Sequence, residues 1–305
     1  MTHPLRAAAL LAALSACTSH TPPPPGAGAP RGHVAVQVLS TNDLHGQLEP
    51  LRLTTRERPT RTLRVGGAAA LAATIAELRA RSPDSTVVLD AGDMLQGTLL
   101  SNHFEGAPVL ELMELAGYHA VAIGNHEFDF GGPPGAPRAA LRRWIRRATF
   151  PVLAANIVEA HSGTGPAWDN LHPSRVWSLA GGVRVGVIGV TTTDVPRTTL
   201  PAHVRGLRFE PLRATVVRHA RTLRDAGVEV VVVLAHAGGE CDGRGADACR
   251  GELVRDLLAG LPPGLVDAAV GGHTHQCIWR RVHGVLVAEA CSRGKAVGRL
   301  RLVVD

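Results

Sequence analysis

The chain has 305 residues, 45% of them hydrophobic, enough for one large core or two modest ones, which excludes a globally disordered protein. Its formal charge of +6 and isoelectric point near 9.7 suit anionic partners. Arginine supplies nearly all of that charge in three separated stretches, 52–64, 142–147 and 218–224; the second reads as the solvated face of a helix, so no nucleic-acid partner is expected.

At the N-terminus Arg6 precedes an apolar run, 7–14, that is too short to span a bilayer and has the length of a secretory signal. The run ends in Leu14-Ser15-Ala16-Cys17, which resembles a bacterial lipobox, so residues 1–17 read as a lipoprotein-type signal with Cys17 acylated. Residues 18–32, rich in proline and glycine, read as a semi-rigid tether lifting a domain off a membrane surface. Export to the periplasm or cell envelope on a lipid anchor is the expectation.

Residues 33–305 read as one domain. Apolar, β-rich runs at 33–39, 86–89, 120–123, 151–154, 183–190, 228–234, 266–270, 285–288 and 299–304 alternate with helical patterns at 68–81, 108–116, 138–147, 212–226 and 252–258. That alternation argues an α/β fold, and the unbroken apolar stretch 230–234 is the pattern of a strand covered on both faces. Loops 53–64, 161–173 and 241–250 are expected to border the active site. Four cysteines remain beyond Cys17, an even number suited to an oxidising compartment. Cys241 with Cys249 would close a small loop and Cys277 with Cys291 would join neighbouring strands, although four cysteines permit three connectivities.

Five short motifs carry the chemistry: Asp43-Leu44-His45, Gly92-Asp93, Gly124-Asn125-His126-Glu127-Phe128-Asp129, Ala235-His236 and Gly271-Gly272-His273-Thr274-His275. Each follows an expected strand, and in open α/β sheets the loops after the strands converge on one crevice. A two-metal hydrolase holds its ions roughly 3.5–4 Å apart. Dications at that distance repel by roughly 18 kcal/mol at an effective dielectric of about 20, so such a centre needs a bridging anion and several further ligands. Asp43, Asp93, four imidazoles (His45, His236, His273, His275) and the amide oxygen of Asn125 form a donor set that suits Zn, Mn, Fe or Ni better than Mg or Ca. Asp43 with His45, and His273 with His275, lie two apart, and in extended backbone such residues point the same way.

Segment 36–48 and segment 118–129, which ends Gly-Asn-His-Glu-Phe-Asp, resemble the two signature motifs of the 5'-nucleotidase branch of the calcineurin-like metallophosphoesterases. The resemblance runs from about residue 34 to 305 and implies a four-layer α/β/β/α sandwich of two mixed sheets flanked by helices. It implies two divalent metal ions, one held by Asp43, His45 and His275, the other by Asn125, His236 and His273, with Asp93 bridging. It gives His126 contact with the phosphoryl or leaving group and makes Asp129 its orienting carboxylate. The implied activity is hydrolysis of a phosphomonoester, first of all a nucleoside 5'-monophosphate, by metal-bound hydroxide attacking in line. Cyclic 2',3'-nucleotides or nucleotide sugars are the alternative substrates, and an anchored binding module with little activity is the alternative class. Full-length members carry a C-terminal domain that grips the nucleoside; this sequence stops at Asp305, where the catalytic domain is expected to end. Oligomeric state is not legible in the sequence.

Overall fold

A computed structural model describes residues 33–55, 58–242 and 248–304. The expected signal 1–17, its Cys17 and the tether 18–32 lie outside the described residues. Two six-stranded mixed sheets form the body of the domain. In the first, strand Gly298–Val304 is an antiparallel edge on Val34–Thr41, followed in parallel by Thr86–Asp90, Ala120–Ala122, Val152–Leu153 and Leu171–His172. In the second, Val285–Ala290, Ala268–Val270, Val230–His236 and Arg184–Thr191 run parallel, with antiparallel strands Cys277–Val282 and Ser174–Ser178 at the edges.

The two-residue period of a strand sorts the side chains into layers. Val230, Val232 and Leu234 pack with Val36, Val38, Val87 and Leu89 in a core between the sheets. The alternate residues, Val231, Val233 and Ala235, face Val216, Ala220 and Leu223 of helix Leu212–Asp225 together with Leu253 and Leu257. On the far side of the first sheet Val88, Val121 and Ile123 pack against Leu71 and Ile75 of helix Ala68–Ala80, Leu110 and Met113 of helix Ala107–Ala116, and Leu141 and Ile145 of helix Ala139–Arg147. Helix, sheet, sheet and helix are the four layers expected. Burial of each such Val, Leu or Ile contributes about 1.5–3 kcal/mol, so pattern rather than any single contact holds the sandwich.

Four features differ from the sequence reading. Loop 53–64 forms, with its flanking residues, a hairpin of Leu51–Thr54 paired with Thr62–Val65, whose mostly exposed strands of four residues each are too short for their alternation to stand out. Edge strands Ser174–Ser178 and Cys277–Val282 are equally silent, since an edge strand needs apolar residues on little of its surface. The last expected helix is a single π-helical stretch, Leu253–Leu258.

Candidate metal centre

The ligand-type side chains come from the C-terminal ends of five parallel strands, three in one sheet and two in the other. Asp43 follows strand Val34–Thr41, Asp93 follows Thr86–Asp90, Asn125 follows Ala120–Ala122, His236 closes Val230–His236, and His273 and His275 follow Ala268–Val270. The structure gathers them into two groups. Asp43, His45 and His275 offer ligand atoms within 4.8 Å of one another, as do Asp93, His236 and His273. The Asn125 side-chain oxygen joins the second group, 3.1 Å from His236 Nε2.

The paired motifs converge by a route other than extended backbone. Asp43 and His45 sit at φ 51° and 49°, His273 and His275 at 76° and 57°, and Asp93 at 57°, all left-handed. Such conformations cost of order 1–3 kcal/mol each and persist where surrounding contacts enforce them. Here the enforcement is visible. Both Asp43 carboxylate oxygens accept the His273 backbone N–H, at 3.1 and 2.9 Å, while Asn42 donates to the same carboxylate at 2.6 Å. Asp43 N donates to Gly92 O and His45 N to Asp93 O, each at 2.9 Å. Gly124 has to be glycine for a different reason: a Cβ there would lie 2.2 Å from Asp93 Oδ1.

The hydrogen bonds assign the ring nitrogens. His45 Nδ1 donates to Gln96 O at 3.0 Å and His236 Nδ1 donates to Ala91 O at 2.9 Å, so each Nε2 presents a lone pair to the centre. His45 Nε2 then lies 3.0 Å from His275 Nε2 and 4.0 Å from Asp43 Oδ1, with His275 Nε2 3.5 Å from the same oxygen. His236 Nε2 faces Asp93 Oδ2 at 3.1 Å and the Asn125 oxygen, whose amide nitrogen donates to Thr198 O at 3.3 Å. In both groups imidazole Nε2 atoms and carboxylate or amide oxygens converge, an arrangement that a cation satisfies, or in its absence a proton on a ring nitrogen such as that of His236.

Electrostatics agree with that reading. Burial pushes the His45 and His273 imidazoles below the ordinary range, toward the neutral form that coordinates metal. Burial also lifts the Asp93 carboxyl and lowers His236, but the charges and hydrogen bond of the pair override both. Asp93 is held well below the usual carboxylate range and His236 is raised to about 10. A proton on His236 thus supplies, in the metal-free protein, positive charge that a dication would bring. Donor types, counts and tautomers all fit two borderline divalent ions.

Around this centre stand residues of other kinds. His126 N donates to Asp93 Oδ1 at 2.8 Å, and His126 Nδ1 meets Asp129 Oδ2 at 2.5 Å. Asp129 Oδ1 in turn accepts the Thr199 hydroxyl at 2.6 Å, so the imidazole is oriented from behind. That bond to Asp129 raises the His126 pKa despite partial burial. Glu127 is fully buried and accepts four backbone N–H groups, those of Asp93, Met94, Leu95 and Gly124. Glu289 accepts the Thr274 hydroxyl and Gln276 N, bracing the segment between His273 and His275.

An open cleft of about 600 Å³ exposes the centre, lined by His45, His126, His273 and His275 and also by Gln96, Gly97, Thr198 and Arg293. The sequence does not single out these last four; they arrive on loops with no periodic signal. None of the described residues of loops 53–64, 161–173 or 241–250 lines the cleft, which corrects the expectation that those loops border it. Charge and glycine content mark a loop as exposed, not as adjacent to a strand end. Thr192 and Thr193 do not line the cleft and bond Glu252. Cys241 is bonded to Cys249 and Cys277 to Cys291, so no thiol competes for metal among these four.

The calcineurin-like phosphoesterase family matches residues 36–277. The chain belongs to this family. Calcineurin-like phosphoesterases use divalent metals, and the two donor groups above are the candidates to hold them. Among relatives, the 5'-nucleotidase of Rattus norvegicus is 32% identical over 243 residues, covering 79% of this chain and 38% of that protein. Endonuclease YhcR of Bacillus subtilis is 30% identical over 287 residues, covering 91% of this chain and 22% of that protein. The crystal structure of the 5'-nucleotidase precursor from Thermus thermophilus superposes with a TM-score of 0.70 at 31% identity, over 89% of this chain and 52% of that one. The chain therefore spans about half or less of the length of these calcineurin-like relatives. No helix among the described residues is long and apolar enough to cross a membrane.

Proposed function

We propose that this chain hydrolyses phosphomonoesters, nucleoside 5'-monophosphates foremost, at a two-metal centre. The observation that carries the reading is the convergence of two acceptor sets, Asp43, His45 and His275 beside Asp93, Asn125, His236 and His273, at the floor of one open cleft. In this reading Asp43, His45 and His275 would hold one ion and Asn125, His236 and His273 the other, with Asp93 shared between them. When bound, two divalent ions supply Lewis acidity toward a phosphoryl oxygen and acidify water for attack at phosphorus.

The residues of the chain do the rest. His126, its Nδ1 engaged by Asp129, keeps Nε2 for the substrate and carries a proton to the leaving oxygen. The exposed Arg293 at the cleft wall balances charge on the phosphoryl group or on a second phosphate. Gln96 holds the His45 ring in its coordinating tautomer. A phosphodiester substrate is the second reading, favoured by the relative named an endonuclease and by the openness of the cleft. Zn, Mn, Fe and Ni all fit the donors, and metal analysis of the purified protein decides among them. The Cys17 lipobox supports export on a lipid anchor, which mass spectrometry of the mature protein tests.

Hydrolysis by the full chain, loaded with Mn or Zn, is to be measured as phosphate release from AMP, UMP and p-nitrophenyl phosphate and by chromatography of the monophosphate products from UDP-glucose and a 2',3'-cyclic nucleotide. AMP and UMP turnover that is abolished in Asp93→Asn and His236→Ala is the expected result. Full turnover in either variant overturns the reading, and turnover of the cyclic nucleotide alone moves the assignment to diesters.

A further inference from the structure

Helix Ala139–Arg147 carries Arg142, Arg143, Arg146 and Arg147, and Arg138 stands at its N-cap. Helical spacing divides them: Arg143 and Arg147 share one side, while Arg138, Arg142 and Arg146 follow one another four apart on the next. The two sides are treated differently. Arg143 is ion-paired with Glu105 and Arg147 with Glu111 at 3.7 Å. The guanidinium groups of Arg142 and Arg146 have no hydrogen-bond or ion-pair partner among the described residues. A solvated basic face would leave all four arginines alike; here Arg142 and Arg146, which line a cleft together with the paired Arg143, are left uncompensated.

That cleft has a volume of about 470 Å³, and Glu159 is the one carboxylate among its lining residues, against Arg138, Arg142, Arg143 and Arg146. It shares no lining residue with the metal cleft. Arg138 is half-buried and fixed: Nη1 donates to His203 O and Arg205 O, each at 3.0 Å, and the guanidinium lies 6.0 Å from the Trp168 ring centroid. Its Nε and Nη2 donors remain for a ligand. Burial lowers the Arg138 pKa; the attraction of Glu159 opposes that shift and the neighbouring Arg142 adds to it.

We propose that this cleft is a second anion site, in which Arg138, Arg142 and Arg146 take a phosphate group. Guanidinium forks match phosphate oxygens bidentately, and a dianion offsets the excess charge that Glu159 leaves. The group comes from free phosphate, the product of the proposed reaction, or from a phospholipid headgroup at the membrane surface.

The test compares Arg142→Ser/Arg146→Ser with Arg147→Ser/Arg221→Ser, which removes the same charge from exposed residues that do not line the cleft. Calorimetric titration of the full chain with inorganic phosphate is done after chelation, so that the metal centre contributes nothing, and thermal melting checks that both variants fold. The first pair is expected to weaken phosphate binding at least about tenfold and the second less than about twofold. Co-sedimentation with vesicles of phosphatidylglycerol in phosphatidylcholine, against phosphatidylcholine alone, separates the sources. Sedimentation lost only in the first variant assigns the lipid headgroup, and phosphate binding without it assigns the free ion. Equal loss in both variants, or no binding of either probe by the unaltered chain, overturns the proposal.

Discussion

The carboxylate of Glu127 accepts the backbone N–H of Asp93 at 2.8 Å, and with it those of Met94, Leu95 and Gly124. One buried side chain thus ties together the loops that present Asp93 and Asn125. Burial pushes the Glu127 carboxyl up to about 7, a rise that its backbone donors limit. Glu127→Gln replaces an acceptor oxygen by an NH2 group that faces N–H donors, so about two of the four bonds are lost. A stability loss of about 2–4 kcal/mol is expected. Urea unfolding of the metal-free protein measures it, and an unchanged midpoint would show that the loops hold themselves.

His126 and Asp129 separate leaving-group chemistry from metal binding. His126→Ala is expected to lower kcat on AMP by about 10²–10⁴-fold with metal content unchanged. The loss on p-nitrophenyl phosphate should be much smaller, because that leaving group needs little protonation. The hydrogen bond that His126 donates to Asp129 raises the His126 pKa, so the acid form persists to higher pH and activity falls as pH rises through that pKa. Asp129→Asn therefore moves the alkaline limb of the kcat profile to lower pH. An unmoved limb, or equal losses on both substrates, removes His126 from the proton path.

Much of this site is legible in the sequence because the residue types are restrictive and their places are fixed by strands. The valine runs at 36–38, 87–88 and 230–233 are buried on both sheet faces, and the ligand-type residues follow where those runs stop. The left-handed backbone at Asp43, His45, His273 and His275 is not legible, since nothing in Asp-x-His distinguishes it from an extended pair. Nor are Gln96, Thr198 and Arg293, whose arrival at the cleft depends on loop paths set by long-range contacts, such as that of Arg293 N with Asp43 O at 2.7 Å. Edge strand Ser174–Ser178 escapes a sequence reading for want of an apolar face.

The disulfide between Cys277 and Cys291 joins the two segments that end in His275 and begin toward Arg293, each two residues from a bridged cysteine. Cys291 N also donates to Gln276 O at 2.9 Å. Replacing both cysteines by serine frees the more exposed ligand group while leaving His236, at the end of its strand, in place. Metal titration of the double variant should show one of two ions weakened about tenfold or more, the scale on which lost ligand support acts. Parallel weakening of both ions, or of neither, would show that the bridge does not act on the Asp43 group in particular.

Asp90 offers a test of stability against pH, best made on the metal-free protein. Its carboxylate is fully buried, with Oδ2 accepting the Thr41 hydroxyl at 2.5 Å and Oδ1 accepting Gly92 N at 2.8 Å. Burial raises its pKa to about 7, partly offset by those two donors. A carboxyl raised in the folded state binds its proton more tightly there than when unfolded. Its contribution to stability is therefore full below about pH 4, shrinks as pH rises and is gone above about pH 7, with about 4 kcal/mol as the upper figure. Asp90→Asn keeps the Gly92 bond and can donate to Thr41, whose hydroxyl then turns to Tyr118, 2.7 Å away. The variant should lose this pH dependence and be more stable than the parent at pH 8, by about 1–3 kcal/mol. Urea midpoints at pH 5 and pH 8 decide it: if parent and variant lose stability equally between the two, Asp90 is not the group that titrates.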